Sequence, residues 1–404
     1  MTELSRRCLL RGAAIAALLA SARPLAAAQS DFDAWLLALR AEALTKGISK
    51  GTLDKALGGV QPNARIIELD RTQPEFTQTF WRYMKPRITD ERIAAGQVAL
   101  KNNAKILAKV EQVYGVAPES LMAFWGLETN YGSYMGEYGV FEALATLAWD
   151  DRRADFFRTE LFDALEIVEE GHIWPEAMVG SWAGAMGHFQ FMPSTFLAYA
   201  VDFDGDGRKD IWIGTTDAFA SAANFLVKSG WKPVIPWGYE VVMPKNFPWE
   251  QSGADNKQPV AHWQQLGVRL PGGGNLLHSQ EKGAILLPAG WQGPAFVVLN
   301  NFYTTLRWNN SHLYAISVGH LADRIAGKGP FKAKPPADEE RLSREEIEAM
   351  QNYLTQLGYD TGKPDGKVGP MTRKALKAWQ MANGFPADAY PTRAAIAKMK
   401  TMVG

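Results

Sequence analysis

The sequence APESLMAFWGLETNYG, residues 117–132, predicts a helix with a carboxylate near its C-terminal end. Its proline suits the first turn of a helix, and its final glycine suits the position just beyond the end. Leu121, Trp125 and Glu128 follow one another at helical spacing, which places one carboxylate on an apolar face. Burial and the negative end of the helix dipole both disfavour an anion there. The pattern therefore predicts a carboxyl group that stays protonated near neutrality and can donate its proton.

A second segment, GSWAGAMGHFQFMPST at residues 180–195, alternates small residues with hydroxyls, an amide and large apolar groups. Small residues let a backbone come close to a ligand, while polar side chains such as Ser181 and Gln190 can hydrogen-bond it. This segment is therefore a candidate ligand-binding region.

A third segment, DFDGDGRKD at residues 202–210, carries carboxylates at loop positions 1, 3, 5 and 9 and glycine at position 6. This spacing matches the calcium loop of an EF-hand, except that position 12 is Ile213 where a glutamate is expected. Four carboxylates in nine residues repel one another unless a cation is bound. The sequence therefore predicts a structural calcium ion and no catalytic cofactor.

The N-terminal residues 1–28 have the order of a secretory signal. Arg6 and Arg7 precede an apolar run at 12–20, and Ala28 marks the expected cleavage site. The paired arginines resemble the twin-arginine export consensus, which predicts a periplasmic protein. The apolar run is shorter than the roughly 20 residues that a membrane-spanning helix needs. Cys8, the only cysteine, precedes that run, which argues against a lipid anchor and excludes disulfides from the mature chain.

The remaining chain is predicted to be mainly helical. Helical spacing dominates residues 29–326, with a small β-rich insert at about 231–300. Residues 327–341 contain three prolines and several lysines, which is typical of a linker. A capping box of Ser343 and Glu346 then opens a helical module at 342–404. Lysine plus arginine and aspartate plus glutamate both total 43, so no basic surface points to nucleic acid.

Three ordered blocks together resemble the membrane-bound lytic murein transglycosylase B family. They are Glu128–Gly132 (ETNYG), Ala183–Ser194 (AGAMGHFQFMPS) and Trp308–Ala315 (WNNSHLYA), and the resemblance covers roughly residues 31–325. It implies a lysozyme-like helical catalytic domain with Glu128 as the sole general acid and base. The third block departs from the family at Trp308, where members often carry tyrosine.

The same resemblance implies the residues that contact ligands. Those implied to line the glycan cleft, or to lie near the stem peptide or sugar, are Arg152, Arg153, Ser181, Gln190, Phe191, Met192, Asn309 and Tyr314. Core packing is an equally good explanation for Phe191 and Met192. The implied calcium ligands are Asp202, Asp204, Asp206, Arg208 through its backbone carbonyl, Asp210 and Asp217, the last of which would replace the missing glutamate.

Residues 342–404 are similar to the three-helix peptidoglycan-binding domain. The family implies cleavage of the bond between N-acetylmuramic acid and N-acetylglucosamine, with closure of a 1,6-anhydro ring. Two alternatives remain open from the residues alone: a muramidase that uses Glu128 and a water, with Glu137, Asp150 or Asp151 as a second carboxylate, and a non-catalytic murein-binding scaffold. The expected partners are glycan strands and possible proteins of cell-wall synthesis or remodelling, and the expected state is a monomer.

Overall fold

The computed structural model describes residues 25–71, 78–336 and 341–404, with residues 25–30 as backbone only. The described chain is mainly helical with a few short strands, as predicted. The helices are α1 (Leu25–Thr45), α2 (Lys50–Leu57), α3 (Ala64–Arg71), α4 (Phe80–Met84), α5 (Asp90–Asn102), α6 (Ala104–Tyr114), α7 (Pro118–Thr129), α8 (Val140–Trp149), α9 (Ala154–Glu169), α10 (Pro193–Tyr199), α11 (Thr215–Lys228), α12 (Val260–Gln265), α13 (Asn300–Trp308), α14 (His312–Ile325), α15 (Arg344–Gln356), α16 (Pro370–Ala382) and α17 (Arg393–Val403).

The strands are β1 (Tyr138–Gly139), β2 (Val179–Gly180), β3 (Gly238–Val241), β4 (Gln258–Pro259), β5 (Lys282–Leu286) and β6 (Ala295–Val298). None of the helices in the described ranges is long and apolar enough to cross a membrane. Most of the predicted signal peptide, residues 1–24, lies outside the described residues. Helix α1 begins at Leu25, so the expected cleavage position Ala28 falls within it.

The described residues form two compact units. Residues 25–71 and 135–198 form the first, and residues 78–134, 199–336 and 341–404 form the second. In the first unit, α8 packs on α1, α3 and α9, and α9 also packs on α2. Its two-residue strands β1 and β2 pair antiparallel, Tyr138 with Gly180 and Gly139 with Val179. This pairing places the start of the 180–195 segment beside the first turn of α8.

Helix α7 is the centre of the second unit. Helices α5, α6, α11 and α14 all pack against it, and Leu121 through Gly126 are buried in succession. A helix that is buried on every side has no solvent face, so α7 is not the amphipathic helix that the spacing of its apolar residues suggested. Glu128, one residue before its end, is half-buried in this environment.

The end of α7 is determined by the residues that follow Glu128. Asn130, Tyr131 and Gly132 all adopt left-handed backbone angles, with φ of 49°, 61° and 78°. The turn carries the Tyr131 ring back over the helix, where its hydroxyl donates to the Arg92 carbonyl at 2.8 Å. A Cβ on Gly126 would lie 2.6 Å from that ring, so only glycine leaves room for it.

The β-rich insert is a four-stranded antiparallel sheet in the order β3-β6-β5-β4. Its buried side chains, Trp263 and Val297 among them, form their own apolar cluster. The sheet lies within the predicted range of 231–300. Helix α13 follows directly at Asn300.

Three helices, α15 to α17, form the C-terminal module around a separate apolar cluster that includes Leu376 and Trp379. The predicted capping box is present, since Ser343 accepts from the Glu346 amide and Glu346 accepts from the Ser343 amide. The side chain of Gln351 links α15 to the 365–366 turn and to α16. Its amide nitrogen donates to Asp365 and Thr372, each at 3.0 Å. The carbonyl of the same side chain accepts from two backbone amides of the 365–366 turn.

Candidate active site

The carboxylate of Glu128 is held by two side chains from α13 and α14. Trp308 donates its indole Nε1–H to Glu128 Oε1 at 3.0 Å, and the Tyr314 hydroxyl donates to the same oxygen. Both partners are more than 175 residues away in the sequence and come from the third block of the family resemblance. Because Oε1 already accepts two hydrogen bonds, the proton of a protonated Glu128 lies on Oε2.

Rigid aromatic packing fixes the position of Trp308. Its ring lies 4.6 Å from Phe124 and 4.9 Å from Phe225, measured between ring centroids. Phe124 comes from α7 and Phe225 from α11, so the indole is clamped between two helices. Such aromatic pairs add stability beyond the area that they bury. The role of Trp308, which the resemblance left unassigned, is therefore to present an N–H donor to Glu128.

Tyr314 is almost fully buried, with 6% of its surface exposed. Burial, together with the nearby Glu128 carboxylate, raises the pKa of its phenol well above the ordinary value, against the opposing influence of Arg87. The hydroxyl thus keeps its proton throughout the neutral range and remains a donor. Arg87 itself stacks over the Tyr83 ring, with its guanidinium carbon 3.6 Å from the centroid.

Asn309 lies in the turn between α13 and α14. Its backbone is extended, with φ of −142° and ψ of 117°, and its carbonyl accepts from the Ser311 amide at 2.7 Å. Ser311 caps α14 by accepting from the Tyr314 amide at 3.3 Å. This cap sets the first turn of α14 and so the direction of the phenol. The Asn309 side chain is half-buried.

The 180–195 segment belongs to the first unit and is organised by its own hydrogen bonds. Ser181 Oγ accepts from the amides of Ala183 and Ala185, at 3.3 and 3.1 Å. Gln190 has a left-handed φ of 50°, and its Nε2 donates to the carbonyls of Met135 and Gly187, both at 3.1 Å. Both predicted ligand-binding side chains thus have a structural role within the loop.

The apolar members of that segment differ in exposure. Phe191 is only 3% exposed, whereas Met192 is half-buried. For Phe191 this burial favours core packing, the alternative that the sequence left open. Gly184 suits this position because its φ of 86° is left-handed and a Cβ would also crowd the Leu144 side chain.

Arg152 and Arg153 bind the same buried carboxylate in the first unit. Asp70 is fully buried; Arg152 Nη1 lies 2.6 Å from its Oδ2, and Arg153 Nη2 contacts Oδ1. The arginine side chains themselves remain 46% and 42% exposed. The pair is thus anchored from one side by Asp70 while its outer surface faces solvent.

The acidic loop brings together three of its predicted ligands. Oxygens of Asp202, Asp204 and Asp217 lie within 4.8 Å of one another. Asp217 is buried and accepts from the amides of Phe203 and Asp210, and its burial raises its pKa. The group combines hard oxygen donors, which suits a calcium ion.

The other predicted ligands make different contacts. Asp206 pairs with the Arg208 guanidinium at 3.1 Å. Asp210 accepts from three successive amides just before α11, those of Trp212, Ile213 and Gly214. Ile213, at the position where an EF-hand carries glutamate, is 85% exposed. Asp217 from α11 is the carboxylate that joins the cluster from beyond the loop.

Several residues of the site escaped the sequence analysis. Tyr83, Arg87 and Phe124 surround the Glu128 partners, and Asp70 holds the arginine pair. Tyr83 and Arg87 are four residues apart in the sequence, but no local pattern links them to Glu128, more than 40 residues later. These contacts come from tertiary packing and have no local signature.

A lysozyme-like helical fold with one carboxyl group at the end of its central helix defines a class, the glycan-cleaving transglycosylases. Residues 31–323 match the family described as Transglycosylase SLT domain, and residues 343–399 match the family described as Putative peptidoglycan binding domain. The chain therefore belongs to the transglycosylase SLT family and is a lytic transglycosylase that also carries a peptidoglycan-binding domain. The resemblance inferred from the three blocks is confirmed.

Individual relatives support the same family assignment. Membrane-bound lytic murein transglycosylase B of Escherichia coli (strain K12) is 35% identical over 259 residues, which are 61% of this chain and 67% of that protein. SltB3 from Pseudomonas aeruginosa, solved in complex with NAG-anhNAM-pentapeptide, is 44% identical; the alignment covers 91% of this chain and 99% of that one, with a TM-score of 0.88. Slt35 of Escherichia coli, solved in complex with calcium, is 30% identical over 74% of this chain and 93% of that one, with a TM-score of 0.62.

The anchoring of the arginine pair can be tested by Asp70→Asn. The variant leaves two guanidinium groups without their shared anion, so we expect it to lower the free energy of unfolding by about 2 kcal/mol. The matched control is Glu68→Gln, which removes an exposed ion pair with Arg65 and is expected to cost less than about 0.5 kcal/mol. Urea unfolding measures both. Equal, small losses would show that Asp70 does not anchor the arginines.

Proposed function

We propose that this protein cleaves the β-1,4 bond between N-acetylmuramic acid and N-acetylglucosamine in peptidoglycan and forms 1,6-anhydro-N-acetylmuramic acid, with Glu128 as its single general acid and base. The observation that carries the proposal is the pair of donors, Trp308 and Tyr314, on one oxygen of Glu128. The relative SltB3 supports the product class, because it was solved with an anhydro-muropeptide.

The reaction uses the two protonation states of Glu128 in turn. Protonated Oε2 gives its proton to the glycosidic oxygen as the bond from that oxygen to muramoyl C1 breaks. The muramoyl C6 hydroxyl then bonds to C1, and its proton returns to the Glu128 carboxylate. The carboxyl group ends as it began, and no water is consumed.

Trp308 and Tyr314 support both steps. Their two hydrogen bonds hold the carboxyl plane in one orientation, which keeps Oε2 in place for the proton transfer. They also stabilise the negative charge that appears on Glu128 after the first transfer. Because the raised pKa of Tyr314 keeps its phenol protonated, this donor is present whichever state Glu128 adopts.

A hydrolase would need a second carboxylate to act on water or on the sugar. Of the three candidates from the sequence, Asp150 is engaged by an ion pair with Arg71 at 2.8 Å. Glu137 and Asp151 are exposed side chains of the first unit. The anhydro-muropeptide bound to the relative SltB3 favours the water-free reaction over the muramidase alternative.

We also propose that Asp202, Asp204 and Asp217 bind a calcium ion with a structural role. Three converging carboxylates repel one another, and the relative Slt35 was solved with calcium. The ion would join the 202–210 loop to α11 and would take no part in bond cleavage. Peptidoglycan as substrate is consistent with export to the periplasm, which the N-terminal sequence predicts.

The product test is mass spectrometry of muropeptides released from purified murein. We expect products lighter by one water than reducing-end muropeptides, and none from Glu128→Gln, which keeps the shape of the side chain but holds no transferable proton. Reducing-end products would establish hydrolysis instead. Murein binding without any product would establish the scaffold alternative.

The role of Trp308 predicts a change in the pH profile of cleavage. Trp308→Phe keeps a ring between Phe124 and Phe225 but removes the N–H donor to Glu128. Loss of a donor disfavours the carboxylate relative to the acid, so the alkaline limb of the rate profile should move to higher pH. The maximal rate should fall by roughly tenfold or more. Trp308→Tyr, which can supply a hydroxyl donor, should recover part of the rate; an unchanged profile in Trp308→Phe would contradict the assignment.

Calcium removal provides an independent test. EDTA should lower the unfolding temperature by roughly 5 °C, and added calcium should restore it. Asp204→Asn removes one negative charge from the site and should therefore abolish this sensitivity to EDTA. The asparagine keeps an oxygen that accepts from the Asp206 amide, so the loop itself should be retained. Asp360→Asn is the matched control, because Asp360 is also exposed and also accepts from a turn amide. An EDTA effect of equal size in Asp204→Asn would exclude this site.

A further inference from the structure

A pair of tryptophans lies on the β-rich insert, in segments that the mechanism does not use. Trp291, in the loop between β5 and β6, is 42% exposed, and Trp249 is half-buried. Their ring centroids are 5.6 Å apart, with an angle of 58° between the planes. Single exposed apolar residues are common, but two adjacent indoles present a continuous aromatic surface to solvent.

The tryptophan pair is rigid on the Trp249 side. Trp249 begins a short 3-10 turn and packs against Phe247 at 5.3 Å. Phe247 belongs to the buried cluster of the insert, only 3% exposed. The Trp249 ring is therefore a fixed extension of the core.

The C-terminal module fixes the Trp291 side. Asp388 of the module accepts from the Trp291 amide at 2.8 Å, and Gln380 and the Tyr390 amide hold the same carboxylate. The preceding Gly290, with φ of 76°, lies beneath Tyr390, whose ring would be 3.0 Å from any Cβ there. The module thus sets the backbone position of the more exposed tryptophan.

The polar groups around the pair suit the hydroxyl and acetamido groups of a sugar better than they suit an anion. The Lys377 ammonium donates to the Ser252 carbonyl at 2.7 Å and lies near the carboxylates of Glu250, Asp388 and Asp255. The cation is thus neutralised and attracts no anion. Glu250 and Gln292, both exposed and adjacent in sequence to the tryptophans, offer hydrogen bonds to hydroxyl and acetamido groups.

We propose that Trp249 and Trp291 form a second sugar-binding site, on which pyranose rings of a peptidoglycan glycan strand stack. The proposal rests on the proposed function for its substrate class. Indole rings present a flat apolar face that matches the C–H face of a pyranose, and the polar neighbours match its edge. A second site on one enzyme increases affinity for a long strand without changing the chemistry at the first.

The proposal is tested by binding in the full-length Glu128→Gln background, which leaves the strand uncut. The probe is peptide-free glycan strands, and isolated stem peptides are measured beside them. We expect Trp291→Ala to weaken strand binding about tenfold, and Trp291→Phe to weaken it less because a ring remains. The matched control is Trp174→Ala, which removes a tryptophan that is 68% exposed in the first unit and should leave binding unchanged.

Kinetics with Glu128 intact separate this proposal from the proposed function. Trp291→Ala should raise KM for intact murein about tenfold with little change in kcat, and should leave cleavage of short soluble muropeptides unaltered. Unchanged strand binding, or equal loss in the Trp174 control, would overturn the site, as would a loss confined to stem peptides. Reducing-end products would refute only the anhydro mechanism, because the binding difference does not depend on them.

Discussion

Helix α7 is buried on every side and carries one carboxyl group near its end. The packing of the second unit is organised around these two features. Helix α7 needs apolar neighbours on every side, and α5, α6, α11 and α14 supply them. Glu128 then needs donors, because a buried carboxyl without hydrogen-bond partners is costly. Trp308 and Tyr314 meet that need, and their rings also complete the packing around α7.

The turn after Glu128 follows from the same constraint. The last carbonyls of a helix need hydrogen-bond donors, and here the chain turns through three left-handed residues. The turn returns Tyr131 onto Gly126 and Gly96, where any Cβ would clash with it. The ETNYG sequence therefore supplies both the carboxyl group of Glu128 and the turn that ends the helix beside it.

The C-terminal module has a double role in this arrangement. It has its own apolar core, yet Asp388 and Lys377 reach the β-rich insert and determine the backbone there. A module attached only by its linker would bring murein near the enzyme without orienting it. One that also sets the position of Trp291 can align a strand relative to the insert, which is the physical content of the proposed second site.

Helix periodicity, capping and three ordered motifs are local signals, and they were enough to predict the mainly helical fold, the family and the central carboxyl group. It also predicted the acidic loop, including Asp217, whose carboxylate converges with those of Asp202 and Asp204. The folded chain was needed to show that Trp308 donates to Glu128, that Asp70 binds two arginines and that Phe191 is buried. The first two contacts join segments that lie about 80 to 180 residues apart, and the third depends on which side of a loop faces the core. A local sequence pattern contains neither kind of information.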